Sequence, residues 1–147
     1  MEPLNVPIYA ALLGGGLLIL QIALMLSVGT YRSGAKKGVG VDGDMNLERL
    51  VRRHGNLAEN AAIFLIVLTL YELIFGQTVI ALGTAAVFFA ARLFHAIGFS
   101  SLAGSHLVEA KGAGAKFVLM RVAGAALTAL TSIVLASALI FGIATGL

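Results

Sequence analysis

Four long stretches of this chain are almost wholly apolar, and no other feature constrains its fold as tightly. They run from Val6 to Val28, Leu57 to Phe75, Val79 to Ile97 and Phe117 to Ile143. Each is close to or above the roughly 20 residues that cross a hydrocarbon core. Backbone N–H and C=O groups in lipid find no water, so a spanning run of this length bonds to itself as a helix. Composition excludes a water-soluble fold: 147 residues are 59% hydrophobic and only 12% charged. Soluble domains carry about twice that charge, and so small a chain cannot hide so much apolar surface. The expectation is an all-α bundle of four transmembrane helices, at about 6–31, 46–75, 78–99 and 117–145, forming a single integral membrane domain over residues 1–147. The first run is too long for a cleaved leader, whose core spans about 7–15 residues, and Glu2 stands where a leader carries positive charge. Pro7 suits a first helical turn, where its missing N–H costs nothing.

The connections differ in kind. Arg32 to Met45 is a polar surface loop rich in glycine and lysine. Gly76 to Thr78 leaves room only for a tight antiparallel hairpin. Ser100 to Lys116 is a second long loop. All 10 Lys and Arg residues sit in or beside the two long loops. The positive-inside rule then places those loops in the cytoplasm and both termini outside it. That is the orientation expected of a protein in a bacterial inner membrane.

The second helix should begin before its lipid-spanning part, with Asn46 as its N-cap. Asn46 to Phe75 would be about 45 Å of helix, more than the ~30 Å of hydrocarbon, so its first turns project into the cytoplasmic interface. Arg49, Arg52, Asn56 and Glu59 follow the three-and-four spacing of one helical face. They form a column of two guanidiniums, an amide and a carboxylate descending into the membrane. On the third helix Arg92 and His95, three apart, share a face, and Arg121 opens the fourth. Bland alternatives stand beside each of these. Arg49, Arg52 and Arg53 can anchor the helix at anionic headgroups, Glu59 can pair structurally with Arg92, His95 can be a core histidine bonded to a carbonyl, and Arg121 can snorkel to headgroups. Glu72, near the outer interface, is given no role. Gly124, Thr128, Ser132 and Ala136 recur every four residues and make a seam for close helix approach, within the subunit or around an oligomer axis.

Several chemistries are excluded. With no cysteine there is no disulfide, thiol nucleophile or cysteine metal site. His54, His95 and His106 show no metal-binding spacing, and no P-loop is present. No serine sits in a nucleophile elbow. The basic residues hug helix ends without interleaved aromatics, which argues against nucleic acid. What remains is a cluster at one membrane level: Arg32, Arg52, Asn56, Glu59, Arg92, His95 and Arg121. Ionisable groups inside lipid are costly and functional by default. Arginine forks match carboxylates two bonds at a time and a glutamate suits an ammonium, so the cluster fits a small zwitterion rich in negative charge.

The stretch from Leu47 to Glu59, LERLVRRHGNLAE, resembles the ER-x-x-R-x-x-x-N-x-x-E signature of the MAPEG family, the membrane-associated proteins in eicosanoid and glutathione metabolism. Arg92-Leu93-Phe94-His95 is similar to that family's helix-three R-x-x-H element, and Val41 to Asp44 and Arg121-x-x-Gly124-x-x-x-Thr128 resemble small bacterial members. The resemblance covers nearly the whole chain. It implies a four-helix bundle that forms a homotrimer and binds glutathione at each subunit interface, near the cytoplasmic face. It implies that Arg32, Arg52, Asn56, Glu59, Arg92 and His95 bind glutathione and that Arg121 holds its thiolate. The implied activity is a membrane-bound glutathione transferase or peroxidase acting on a lipophilic small molecule or lipid. The alternative is a non-catalytic lipid- or glutathione-binding scaffold of the same fold. A small transporter is a third class, but a four-helix exporter would want an acid in its first helix, which has none. The chain departs from the family pattern at Gly55, at Phe99 in place of a tyrosine, at Val122, and at Ala62 and Ile63 in place of a proline.

Overall fold

A computed structural model describes residues 5–105 and 112–146. His106 and Lys111 lie outside the described residues. Four long helices account for the apolar runs: α1 (Ile8–Ala35), α2 (Met45–Phe75), α3 (Val79–Gly98) and α5 (Ala113–Thr145), with the single-turn α4 (Leu102–Ser105) between the last two. All four long helices are long and apolar enough to cross a bilayer, and the chain is an integral membrane protein. The described residues contain no strand.

The helix ends follow from local chemistry. α1 runs past the expected position 31 and stops where Lys36 turns into the left-handed region at φ 52°. α2 starts one residue before the expected position because its N-cap is Asp44, not Asn46. The Asp44 carboxylate accepts the N–H groups of Asn46 and Leu47, both at 3.1 Å, and Asn46 lies inside the first turn. The hydrogen bond from Leu47, joined by the Tyr31 hydroxyl and Lys37, holds the Asp44 carboxyl below its ordinary range despite partial desolvation. The α2–α3 hairpin turns at Gly76, whose φ of 75° favours glycine, and Thr78 caps α3 through the N–H of Ala81 at 3.2 Å. α5 begins at Ala113, four residues ahead of its apolar run, and so adds a turn that carries Lys116.

α1 packs on α2 and α3, while α5 packs on α3 and α2. The centre is apolar: the rings of Phe64 and Phe88 stack at 3.7 Å between α2 and α3, with Leu68 and Leu135 buried nearby. Outward faces carry Leu12, Ile19, Ile63, Leu119, Ile133 and Ile140 toward the hydrocarbon. α3 and α5 approach most closely. A Cβ on Gly98 would lie 2.6 Å from the backbone nitrogen of Arg121, and one on Gly124 would lie 2.6 Å from both the Ala91 carbonyl and the His95 nitrogen. The small-residue seam therefore packs within the subunit at its start. Ser132 and Ala136, further along, line a groove toward α2.

Glu72 has a role that the sequence reading did not give it. It is fully buried, and its two carboxylate oxygens accept the N–H groups of Tyr9 at 3.0 Å and Ala10 at 2.7 Å. A carboxylate on α2 thus satisfies two of the free donors at the N-terminus of α1, where the helix dipole also favours negative charge.

Candidate functional site

The column on α2 meets α3 and α5 toward the end of the bundle where the long loops emerge. Arg49 does not reach outward as a headgroup anchor. Its Nη1 donates to the carbonyl of Phe99 at 2.6 Å, closing the C-terminus of α3. Arg52, one turn on, is exposed and pairs with Glu48 at 3.1 Å. Asn56 turns inward, where its Oδ1 accepts from Arg92 Nη1 at 2.8 Å. Glu59 is exposed on the same side and lines a pocket of about 230 Å³ with Asn60, Ser132 and apolar residues of α2 and α5. Arg53 and His54 face the other way, toward α1, where they meet Ser27 at 3.0 Å and Gln21 at 2.7 Å.

Arg92 is the most enclosed cation among the described residues, only 2% exposed. Besides Asn56 it approaches the Gly124 carbonyl at 3.4 Å and the Phe88 ring at 5.8 Å. Its Nε is buried without a partner. The structural pair with Glu59 is not formed. Among the described residues the ion pairs are Lys37 with Asp44 and Arg52 with Glu48, so Arg49, Arg92 and Arg121 have no carboxylate partner there. Arg121 is half-buried, donates to the Ser105 carbonyl at 3.2 Å and lies over the Phe99 ring at 5.2 Å. His95 is buried against that ring, with centroids 5.0 Å apart.

Three pockets follow from this arrangement along one side of the bundle. One of about 340 Å³ is walled by Arg49, Arg52, Arg121, Glu48, Phe99 and Ser105. A second, of about 360 Å³, is walled by Asn56, Asn60, Arg92, Thr128 and Ser132. It shares Asn60 and Ser132 with the pocket beside Glu59. Across these two the lining passes from the Arg92 guanidinium, through amides and hydroxyls, to the apolar Ile63, Phe64, Val67 and Leu135. Residues 10–141 match the MAPEG family, nearly the whole chain. The chain belongs to the MAPEG family. No curated protein and no solved structure matches it.

Against the residues expected of a MAPEG chain, the structure brings Asn56 and Arg92 into contact, sets Arg52 and Arg121 on the walls of one pocket and sets Glu59 on the wall of another. His95 does not line these pockets. Arg32 does not join the others: its Nη1 lies 3.0–3.4 Å from the carbonyls of Lys37, Gly38 and Gly40 and gathers its own loop. The convergence is therefore one of α2, α3 and α5, not of all four long helices. Asn60, which donates to the Asn56 carbonyl at 2.8 Å, was absent from the expected set. Its place one turn past Asn56 on the same helix face was the available signal. The structural use of Arg49 had no such signal, because its acceptor is a backbone carbonyl 50 residues away.

Proposed function

We propose that this MAPEG chain is a membrane-bound glutathione transferase or peroxidase for lipophilic electrophiles, active as a homotrimer. Arg92 carries the reading. A guanidinium buried in a lipid-embedded bundle, with no carboxylate partner among the described residues and an orphaned Nε, is costly to keep. Such residues mark ligand pathways in membranes. Arg121 adds a second unneutralised cation on the same side. The donor set suits glutathione, which has two carboxylates, one ammonium and one thiol. Arg92, Asn56 and Arg52 would hold the carboxylates, Glu59 the ammonium, and buried His95 would support them from against Phe99. Arg32, held by the carbonyls of its own loop, stands apart from this set within one chain.

Bound glutathione supplies a thiol whose free form, with a pKa near 8.5, is mostly protonated at neutral pH. Arg121 stabilises the negative charge on that sulfur. Its guanidinium sits over an aromatic ring in a partly dry pocket, where such a contact acts more strongly than in water. In conjugation a C–S bond forms and the leaving group departs with its electron pair. The apolar stretch beyond Ser132 admits the second substrate from the hydrocarbon side.

The test is binding of glutathione to detergent-solubilised protein, followed by conjugation to a small aromatic electrophile. Arg92→Leu is expected to lower glutathione affinity about thirtyfold or more, as for removal of a buried charge contact. Arg52→Ala, exposed and already paired, should cost less than about tenfold. Arg121→Leu should leave affinity nearly unchanged and raise the midpoint of the thiolate absorbance titration. A parent that binds no glutathione at millimolar concentration would put the scaffold reading in its place. Cross-linking that stops at two subunits would refute the trimer.

A further inference from the structure

Phe99 stands at the end of α3 with three separate interactions. Its carbonyl accepts from Arg49 Nη1 at 2.6 Å, its ring lies under the Arg121 guanidinium at 5.2 Å, and the same ring touches the His95 imidazole at 5.0 Å with a tilt of 44°. The backbone supports this arrangement from behind, because at Gly98 the α5 backbone of Arg121 comes so close that even a methyl group would collide. α2 thus reaches across the end of α3 to fix the residue on which the α5 cation rests. The Nε of Arg49 is buried without a partner, so this arginine gives up one hydrogen bond to make its contact with Phe99. That is a poor bargain for stability alone.

We propose that Arg49 and Phe99 form a positioning unit. Arg49 clamps the Phe99 backbone so that its ring serves as a platform holding the Arg121 guanidinium and the His95 imidazole in fixed places. The unit's effect on a bound thiol runs through Arg121 and rests on the function proposed above. A flat, apolar ring suits this task. A guanidinium is attracted to an aromatic face. The carbonyl of Ser105, 3.2 Å from Arg121 Nη1, fixes the cation's other edge.

The experiment uses solubilised full-length protein and two readouts. The first is the pH midpoint of thiolate absorbance with glutathione bound, for Phe99→Leu, Phe99→Tyr, Arg49→Met and the double variant Arg49→Met/Phe99→Leu. Loss of the ring contact is expected to raise the midpoint by about 0.4–1.5 pH units, the equivalent of a cation–π contact, with glutathione affinity changed less than about threefold. Phe99→Tyr keeps the ring and should titrate at or below the parental midpoint. Arg49→Met should also raise the midpoint, and the double variant should shift no further than the larger single one, because Arg49 acts through Phe99. A parental midpoint in Phe99→Leu, or additive shifts in the double variant, would overturn the proposal. The second readout needs no ligand. The melting losses of Phe99→Leu and Arg121→Leu should be non-additive, and strict additivity overturns the platform. This cycle decides the positioning claim even if the parent holds no glutathione, a result that would count instead against the function proposed above.

Discussion

Replacing Gly124 with alanine adds one methyl group at one of the two places where α3 and α5 approach most closely. The new Cβ would sit 2.6 Å from the Ala91 carbonyl and the His95 nitrogen, where ordinary contact begins at about 3.4 Å. Both obstacles are backbone atoms of α3, so no rotamer change relieves the overlap. α3 and α5 would have to part by about 0.8 Å at this level. Overpacking of this kind typically costs about 1–3 kcal/mol. The parting also stretches the approach of Arg92 to the Gly124 carbonyl, already 3.4 Å, and moves Arg121 away from the Phe99 ring. At about 2–4 °C per kcal/mol for a chain of this size, the melting temperature in detergent should fall by several degrees, and glutathione affinity should fall about tenfold. Gly15→Ala and Gly83→Ala are the controls. Nothing lies within 4 Å of a Cβ at either position, and both are helical, so alanine there should be neutral or mildly stabilising. If Gly124→Ala melted and bound glutathione like the parent, the close α3–α5 contact would be wrong.

Glu72→Ala should destabilise the protein by about 3 kcal/mol or more, because it removes two charge-assisted hydrogen bonds and leaves the N–H groups of Tyr9 and Ala10 unsatisfied in a buried place; thermal melting with hydrogen exchange at the start of α1 reads the loss. Acid should weaken the start of α2. The Asp44 carboxyl is held below its ordinary range, so its contribution is complete above roughly pH 4 and disappears as pH falls through the depressed folded value. Asp44→Asn should therefore flatten the acid limb of the stability curve, and an unchanged limb would refute the capping role. A reporter fused after Leu147 should read as non-cytoplasmic, and a cytoplasmic signal would overturn the orientation drawn from the basic loops.

The four spans were legible because lipid permits so few backbone solutions that apolar length alone names the element. The face of α2 that carries Asn56 and Glu59 was legible from spacing, since a helix fixes which residues share a side. The partners across helices were not. Spacing gives depth and direction, but it does not say that Arg92 meets Asn56 and not Glu59, because that depends on how each helix rotates about its axis. Backbone acceptors are less visible still: Arg49 bonds to a carbonyl and Arg32 to three, and a carbonyl looks alike at every position in the chain. The cap of α2 was misplaced by two residues because Asn46 and Asp44 both have cap-forming side chains. Only the chain's path shows which one faces the free N–H groups.

The Glu72 clamp also bears on how the protein enters the membrane. A bare carboxylate on a spanning helix adds to the cost of insertion, and the two N–H groups that relieve it belong to α1, which is made first. α2 is therefore best inserted while α1 is still at hand, as a hairpin whose second arm brings the charge and whose first arm supplies its hydrogen-bond donors. The connecting segment, gathered by Arg32 and closed by Tyr31 on Asp44, keeps the arms together during that step. Placing a long spacer between α1 and α2 would separate the charge from its donors during synthesis. The result would be a biogenesis defect, in a chain whose finished fold contains every contact of the original.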